Sequence, residues 1–229
     1  MRIDIMTLFP DAVEAMMGSS IIGRARERGF VTIQTHQIRD YTTNKQMQVD
    51  DYPYGGGRGA VMQADPLYRC WQHICDEAGE RVHTIYMSPC GRVLTQQVAR
   101  ELKAQYDHLI LVCGHYEGVD QRFLDECVDE EISTGDFVLT GGEIPAMALA
   151  DCLCRMVPAS CRRRAATPTR ATGTAFWSIP STPARRNGTA AGCPRSCSAA
   201  ITAMWLTGAR RRATSAPWPA ARICGRGST

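Results

Sequence analysis

The chain of 229 residues has no acidic side chain beyond Asp151, and all its histidines and lysines lie before that residue. From residue 152 to 229 the only charged residues are 13 arginines, a formal +13. Residues 1–151 carry 13 basic and 23 acidic groups, a formal −10. The net charge of +3 therefore hides two opposed parts, and such asymmetry is typical of proteins with a basic nucleic-acid-binding arm.

The basic segment also lacks glutamine and has few aliphatic residues. It consists mainly of Ala, Arg, Thr, Ser, Pro, Gly and Cys, the residues of GC-rich codons read without selection. Prolines recur throughout it, at Pro158, Pro168, Pro180, Pro183, Pro194, Pro217 and Pro219. Such a composition supports neither a long amphipathic helix nor a packed core. We therefore expect residues 158–229 to be a largely disordered, aberrant tail rather than an evolved arm.

Long apolar runs and metal-ligand spacings are also missing. No run reaches the ~18 apolar residues of a membrane helix, and the early acids Asp4, Asp11 and Glu14 are not typical of a signal peptide. The seven cysteines of residues 1–157 have no framework spacing, which predicts reduced, mostly buried thiols in a cytoplasmic protein. Cys152-x-Cys154 and the later pair at 193 and 197 have no histidine nearby, so no metal site is predicted.

Regular alternation of strand-like and helix-like patterns fills residues 1–157. The periodicity predicts strands at 2–9, 31–38, 82–87, 109–113 and 137–139. It predicts helices at 11–17, 20–28, 64–77, 95–105 and 119–128, and a last helix with Pro145 in its first turn that ends near residue 156. The acids between 117 and 131 are mostly assigned to a solvated helix face. The fold class is therefore α/β with a mostly parallel sheet.

Three short loops marked by glycine or proline follow apolar strand-like runs, at 88–91, 114–118 and 133–145. Loops at the carboxyl ends of parallel strands are where α/β proteins bind ligands, so the three can converge on one pocket. The third loop is rich in glycine yet apolar in its middle, at Phe137, Val138 and Leu139. Apolar side chains beside free backbone donors suit a flat purine with a small polar tail.

The glycine-rich segment 55–59 reads G-x-G-x-G and follows no apolar strand. A dinucleotide fingerprint requires G-x-G-x-x-G after a strand, which argues against a nicotinamide enzyme. A mobile loop that closes over a ligand and an ordinary flexible turn both remain open for this segment.

Several strings resemble those of the bacterial tRNA (guanine-N1)-methyltransferases of the TrmD type. They are LFP at 8–10, DDYPYGGG at 50–57, SP at 88–89, LVCGHYEGVD at 111–120 and GDFVLTGGEIPA at 135–146. Their spacing is near-constant over residues 1 to about 158, and only Arg58 and Ala60 depart mildly from the family pattern. The resemblance implies a deep trefoil knot of the SPOUT class, a rare exception to normal chain connectivity.

The resemblance further implies that residues 1–157 form a knotted domain that binds S-adenosylmethionine, followed at 158–229 by the aberrant tail in place of a helical tRNA-binding domain. It implies a homodimer with active sites at the interface, and a tRNA substrate methylated on the guanosine just 3′ of the anticodon. The implied cofactor-binding residues are Tyr86, Met87, Ser88, Pro89, Cys113, Gly114, Tyr116, Glu117, Ile132, Ser133, Thr134, Gly135, Asp136, Phe137, Val138, Leu139, Gly141, Gly142, Ile144 and Pro145.

The reaction itself places demands on the chain. Guanine N1 carries a proton, so transfer of a methyl group to it requires a general base, and a cation can stabilise the charge that develops on O6. Arg155 matches the family arginine that has the second role. The family's base is an aspartate further along, and no acid follows Asp151 here. We therefore expect donor binding to survive while methyl transfer is weak or absent.

A reading-frame shift would explain the missing aspartate. The family continues Val-Pro-Gly-Val-Leu, and loss of one G from suitable codons yields Pro-Ala-Ser-Cys, the residues at 158–161. A family stretch like Trp-Asp-Gly-Leu-Leu-Glu-Tyr-Pro-Gln-Tyr-Thr, read one base later, gives the residues at 173–183. Resequencing would refute the hypothesis if restoring one base after codon 158 yielded no acidic, Asp-bearing frame. The alternative function is a non-catalytic RNA-binding module whose arginines contact phosphates.

Overall fold

The structure is a computed structural model that describes residues 1–53, 55–56 and 58–158. The prediction of a disordered tail falls almost wholly on residues 159–229, which lie outside the described residues. None of the described helices is long and apolar enough to cross a membrane.

Five parallel strands form the main sheet. The strands of the described chain are β1 (Arg2–Thr7), β2 (Thr32–Gln37), β3 (Asp50–Asp51), β4 (Val61–Met62), β5 (His83–Val93), β6 (His108–Cys113) and β7 (Glu130–Ser133). The sheet order is β2-β1-β6-β5-β7, and every pairing in it is parallel. β3 and β4 form a separate antiparallel hairpin. The predicted α/β class with a mostly parallel sheet is confirmed.

Helices cover both faces of the sheet. They are α1 (Pro10–Met17), α2 (Ser20–Glu27), α3 (Ala64–Ala78), α4 (Gln96–Gln105), α5 (Gln121–Cys127) and α6 (Glu143–Met156). Local chemistry sets several ends: the Thr95 hydroxyl accepts the Val98 N–H before α4, and Gly79 ends α3 in the left-handed conformation at φ 73°. The helices agree with the predicted ones to within a few residues.

Each face of the sheet buries its own apolar cluster, because successive side chains of a strand point to opposite sides. Ile3 and Ile5 of β1 pack with residues of α1, α2, α4 and α6. Met6 of the same strand packs on the other face with residues of α3 and α5. The sheet is therefore a middle layer, and its strand ends are the places left open for a site.

The predicted strand at 137–139 is wrong. The fifth strand of the sheet is β7, which ends at Ser133, and the apolar triplet 137–139 belongs to the loop after it. Only Ile132 of β7 is a large apolar residue, and two acids precede it, so the strand has little apolar pattern. Glu130 and Glu131 therefore lie on an edge strand and not on a helix face.

β5 does not end at residue 87 as predicted. Met87 and Arg92 both lie opposite Ile132 of β7, so residues 88–91 bulge out of a strand that continues to Val93. At Gly91 a Cβ would come within 2.6 Å of the Glu131 carbonyl oxygen, which explains a residue without a side chain there. The predicted loop at this place is a β-bulge, and it projects at the carboxyl end of the sheet.

Gly55, Gly56 and Gly59 lie between β3 and β4 in the chain, and each has a positive φ. The next element is the strand β4, whereas a dinucleotide fingerprint leads into a helix. The seven cysteines of the described chain are all free thiols. Most of them are buried or partly buried, as expected, and Cys90 is exposed because it lies in the β5 bulge.

Candidate active site at the carboxyl ends of β5, β6 and β7

One cavity lies where the three loops meet at the carboxyl ends of β5, β6 and β7. Its volume is about 210 Å³, and its lining alternates apolar side chains with glycine backbone. Parallel strands direct all their carboxyl ends to one edge, so loops distant in sequence converge there. The prediction that the loops share a pocket is confirmed for these described residues.

The β5 bulge forms the first wall of the cavity, with Tyr86, Met87, Ser88 and Pro89 on its surface. Burial raises the pKa of the Tyr86 phenol, so the group stays neutral and can serve as a hydrogen-bond donor. At Gly114 an added Cβ would lie 2.7 Å from the Tyr86 hydroxyl oxygen. The close packing of tyrosine on glycine joins this wall to the next.

The loop after β6 forms the second wall and is fastened from outside by the β3–β4 hairpin. The Glu117 N–H donates to the Ala60 carbonyl at 3.0 Å, and the Met62 N–H donates to the Gly118 carbonyl at 2.9 Å. Tyr116 takes a positive φ of 59°, a strained conformation for a residue with a side chain. Such strain is stored where surrounding contacts hold the loop in one shape, as they do here.

The loop after β7 covers the cavity with its apolar middle. Val138 is 84% exposed, and Phe137 and Leu139 are also exposed, which is unusual for three consecutive large apolar side chains. The loop returns to the second wall at Gly142, whose N–H donates to the Gly114 carbonyl at 2.9 Å. A Cβ at Gly142 would lie 2.7 Å from the Cys113 Cα, so backbone packs directly on backbone.

A buried carboxylate lies beneath these loops. Glu143, the first residue of α6, is 8% exposed. Its Oε1 accepts the Thr7 hydroxyl at 2.8 Å, and its Oε2 lies 2.9 Å from His115 Nε2. The ring of His115 lies 5.1 Å from that of Phe9 and 6.2 Å from that of Tyr116, between centroids. The ends of β1 and β6 and the start of α6 thus meet at one polar contact.

The structure brings nearly all the predicted cofactor-binding residues to this cavity. The ones that line it are Tyr86, Met87, Ser88, Pro89, Gly114, Tyr116, Glu117, Ile132, Ser133, Thr134, Gly135, Phe137, Val138, Leu139, Gly141, Gly142 and Pro145. Cys113, Asp136 and Ile144 are not among the lining residues. Cys113 is fully buried in β6, and burial raises the pKa of its thiol, so the thiol is unreactive. Ligand binding by these residues stays a prediction.

Arg155 is exposed near the carboxyl end of α6. Twelve residues separate it from Glu143, which corresponds to roughly 18 Å of helix. It is not among the residues that line the cavity. Within a single chain, therefore, the predicted catalytic arginine lies near the end of α6 that is remote from the cavity.

Sequence reasoning missed three lining residues, His115, Gly118 and Thr140. His115 lay inside the quoted string at 111–120 but carried no spacing signal of its own. Its importance comes from Glu143, a residue 28 positions away that only the fold brings into contact.

Comparison with known proteins gives one consistent result. A family model described as "tRNA (Guanine-1)-methyltransferase TrmD" matches residues 1–182. The chain is 51% identical over 158 residues to a tRNA (guanine-N(1)-)-methyltransferase of Ruminiclostridium cellulolyticum, covering 69% of this chain and 67% of that protein. It is 47% identical over 158 residues to the protein of that name from Lachnospira eligens, covering 69% and 66%.

A solved structure is also similar, the crystal structure of tRNA (m1G37) methyltransferase from Aquifex aeolicus. The TM-score is 0.65 at 32% identity, with 79% of this chain and 80% of that chain covered. The matched part of this chain spans about two thirds of the length of the two sequence relatives above.

Proposed function

This chain belongs to the tRNA (guanine-1)-methyltransferase family of the TrmD type, and we propose that residues 1–157 are the S-adenosylmethionine-binding domain of such an enzyme. The main support is the cavity at the carboxyl ends of β5, β6 and β7, where three glycine-bearing loops meet. Its alternation of apolar side chains and bare backbone fits a purine nucleoside with a charged tail.

The lack of side chains at three glycines of the cavity wall supports the assignment of the donor to this cavity. A Cβ at Gly114, Gly141 or Gly142 would collide with neighbouring atoms, so backbone there approaches both the cavity and the adjacent loop. We assign donor binding to the lining residues predicted from sequence; Cys113, Asp136 and Ile144 are next to them in the chain but do not line the cavity. The donor supplies a methyl group made electrophilic by its sulfonium, and the loops hold it in one orientation.

The proposal includes the deep trefoil knot of the SPOUT class. Its support is the mutual fastening of the loops, in which the Gly142 N–H reaches the Gly114 carbonyl and the Leu94 N–H reaches the Ser133 carbonyl at 2.7 Å. Loops that thread one another need such close backbone contacts, and glycines allow them.

The acceptor that we propose is N1 of the guanosine 3′-adjacent to the tRNA anticodon. Arg155 would stabilise charge on O6 of that base. Because Arg155 lies at the other end of α6 from its own cavity, it is better placed to serve the cavity of a second chain. A homodimer with shared active sites, located in the cytoplasm where tRNA is found, completes the proposal.

Methyl transfer by this chain is proposed to be impaired. N1 must lose its proton, and no carboxylate follows Asp151 to accept it in the family position. The segment 158–229 replaces the helical tRNA-binding domain with a sequence of different composition.

Calorimetry with S-adenosylmethionine, beside a methyl-transfer assay on tRNA transcripts, tests the proposal. We expect stoichiometric donor binding, and weak or no transfer to a transcript with guanosine 3′ of the anticodon. A transcript with adenosine at that place is the control substrate. Failure to bind the donor would refute the assigned site, and rapid transfer would refute the impairment. Sedimentation at several concentrations tests the dimer.

A second candidate function is a non-catalytic RNA-binding module. The observation in its favour is the charge split, because +13 lies in residues 152–229 and −10 in the rest. Tight RNA binding that depends steeply on salt, without donor binding, would favour the module over the methyltransferase.

A further inference from the structure

Glu143 is unusual among the described residues because its buried carboxylate contacts His115, a residue that lines the cavity. Desolvation of a carboxylate is costly unless its oxygens accept hydrogen bonds. Both oxygens have a partner here, Thr7 on one side and His115 on the other. Neither partner was predicted from the sequence, and the donor-binding proposal makes no use of either.

The direction of each hydrogen bond follows from its chemistry. The Thr7 oxygen already accepts the Phe9 N–H at 2.9 Å, which leaves its own proton free to donate to Glu143 Oε1. An ionised carboxylate only accepts, so His115 must present an N–H at Nε2 to Oε2. In the neutral imidazole Nδ1 is then an acceptor. The carboxylate thereby selects one tautomer of a histidine that lines the cavity.

The hydrogen bonds of Glu143 to Thr7 and His115 also hold three elements together at the base of the site. Thr7 ends β1, His115 lies in the loop after β6, and Glu143 begins α6, so one carboxylate joins three elements. Gly141 crosses the contact so closely that a Cβ there would collide with His115 Nε2 and would lie 2.5 Å from Glu143 Oε2. The loops after β6 and after β7, which carry most of the cavity lining, are therefore held in fixed positions relative to each other at this point.

We propose that Glu143 and His115 form a positioning pair: Glu143 Oε2 accepts the Nε2–H of His115, fixes that tautomer and thereby sets the affinity of the cavity for the methyl donor. This inference rests on the proposed donor site. It assigns to Glu143 and His115 a role that acts through the loops and the histidine tautomer.

Glu143→Gln is the discriminating variant because the amide has nearly the same shape as the carboxylate. Its carbonyl can keep the Thr7 bond, but its NH₂ must then donate to His115 Nε2, which forces the Nδ1–H tautomer. We expect the dissociation constant for S-adenosylmethionine to rise about tenfold, because the hydrogen bond from His115 Nε2–H to the Glu143 carboxylate is lost. We also expect the ¹⁵N spectrum of histidine-labelled protein to show the tautomer change at His115.

Two further variants separate positioning from simple folding. His115→Gln keeps an N–H donor toward Glu143 and should retain more donor affinity than His115→Leu, which keeps none. Asp4→Asn is the matched control, because Asp4 is also a buried carboxylate bonded to histidine, on the other face of the sheet. It should lower the melting temperature and leave donor affinity unchanged.

Unaltered donor affinity in Glu143→Gln would overturn the proposal, and so would an unaltered His115 tautomer. Equal loss of affinity in Glu143→Gln and Asp4→Asn would also overturn it, by showing that affinity only follows stability. If the unsubstituted chain binds no donor, the proposed function is refuted. The tautomer of His115 is measured without any ligand, so that part of the positioning proposal is tested separately.

Discussion

At the scale of single residues, missing side chains define the site more than present ones do. Gly114, Gly141 and Gly142 each lie where a Cβ would meet atoms of a neighbouring loop. At Gly142 those atoms are backbone, 2.7 Å away at the Cys113 Cα and 2.8 Å away at the Gly114 nitrogen. Backbone within a packed sheet cannot yield as the end of a side chain can.

Gly142→Ala should therefore weaken donor binding about tenfold, equivalent to ~1.4 kcal/mol, and lower the free energy of unfolding by about 1–3 kcal/mol. Calorimetry and urea denaturation measure the two effects. Gly29→Ala is the control, because Gly29 has φ 72° and open space around its Cα. It should cost about 1 kcal/mol in stability with no change in donor affinity. Equal donor affinity in the two variants would contradict the argument.

Asp4 is a residue whose role is stability. It is fully buried on β1 and accepts hydrogen bonds from Arg2 Nε at 2.7 Å, His36 at 2.8 Å and His108. Burial alone raises the pKa of a carboxyl group, but the bonds from His36, Arg2 and His108 outweigh it, and the pKa of Asp4 lies below its usual range.

A lowered pKa means that Asp4 stabilises the fold at pH values above the unfolded-state pKa of about 4. That contribution is lost as the pH falls through the lower folded-state value. Asp4→Asn should cost about 3 kcal/mol at neutral pH and should flatten the acid limb of the stability curve. Urea denaturation across pH measures both. Asp151→Asn, at an exposed carboxylate on α6, should change neither; an effect as large as that of Asp4→Asn would count against the argument.

At the scale of elements, α6 connects the cavity to the core and to Arg155. Its first residue, Glu143, lies under the loops, and its middle packs Leu149 and Leu153 against the sheet with no exposure to solvent. Apolar residues recur along one side of the helix, so its burial was readable from sequence. The sequence did not show that Glu143, the first residue of the helix, is a buried carboxylate.

Leu149→Ala should lower the free energy of unfolding by about 2–5 kcal/mol, because it leaves a cavity between α6 and the sheet. Asp151→Ala, an exposed change on the same helix, should stay within about 0.5 kcal/mol. Urea denaturation of both variants measures the difference. A similar loss in the two would mean that α6 is not held by its apolar face.

At the scale of the whole molecule, charge is divided along the chain. Residues 1–151 have a formal charge of −10 and include all the cavity-lining residues, whereas residues 152–229 have +13. An acidic domain repels phosphate, so we expect the proposed binding of RNA to depend mainly on the arginines that follow.

RNA affinity should therefore fall steeply with salt, by roughly 10³-fold between about 50 and 200 mM if about six arginines contact phosphates. Replacing Arg162, Arg163 and Arg164 by glutamine should reduce the slope of log affinity against log salt by up to about 3. Filter binding across a salt series measures the slope, with donor calorimetry as the control that should not change. An unaltered slope would mean that these arginines contribute nothing to binding.

The sequence by itself determined the α/β class, the helices, the strands β1, β2 and β6, and the three loops that line the cavity. These features depend on local periodicity and on the position of glycine and proline, which a single chain displays directly. The family strings at 111–120 and 135–146 added the proposed donor and most of the residues that line the cavity.

Only the tertiary structure decided the rest. β7 is an edge strand of two acids and one large apolar residue, so its place depends on pairing with β5 and not on its own pattern. The β5 bulge exists because Met87 and Arg92 share one partner across the sheet. The contact of Thr7, Glu143 and His115 joins residues up to 136 positions apart. Such features arise from contacts between distant segments, and no local pattern in a sequence records them.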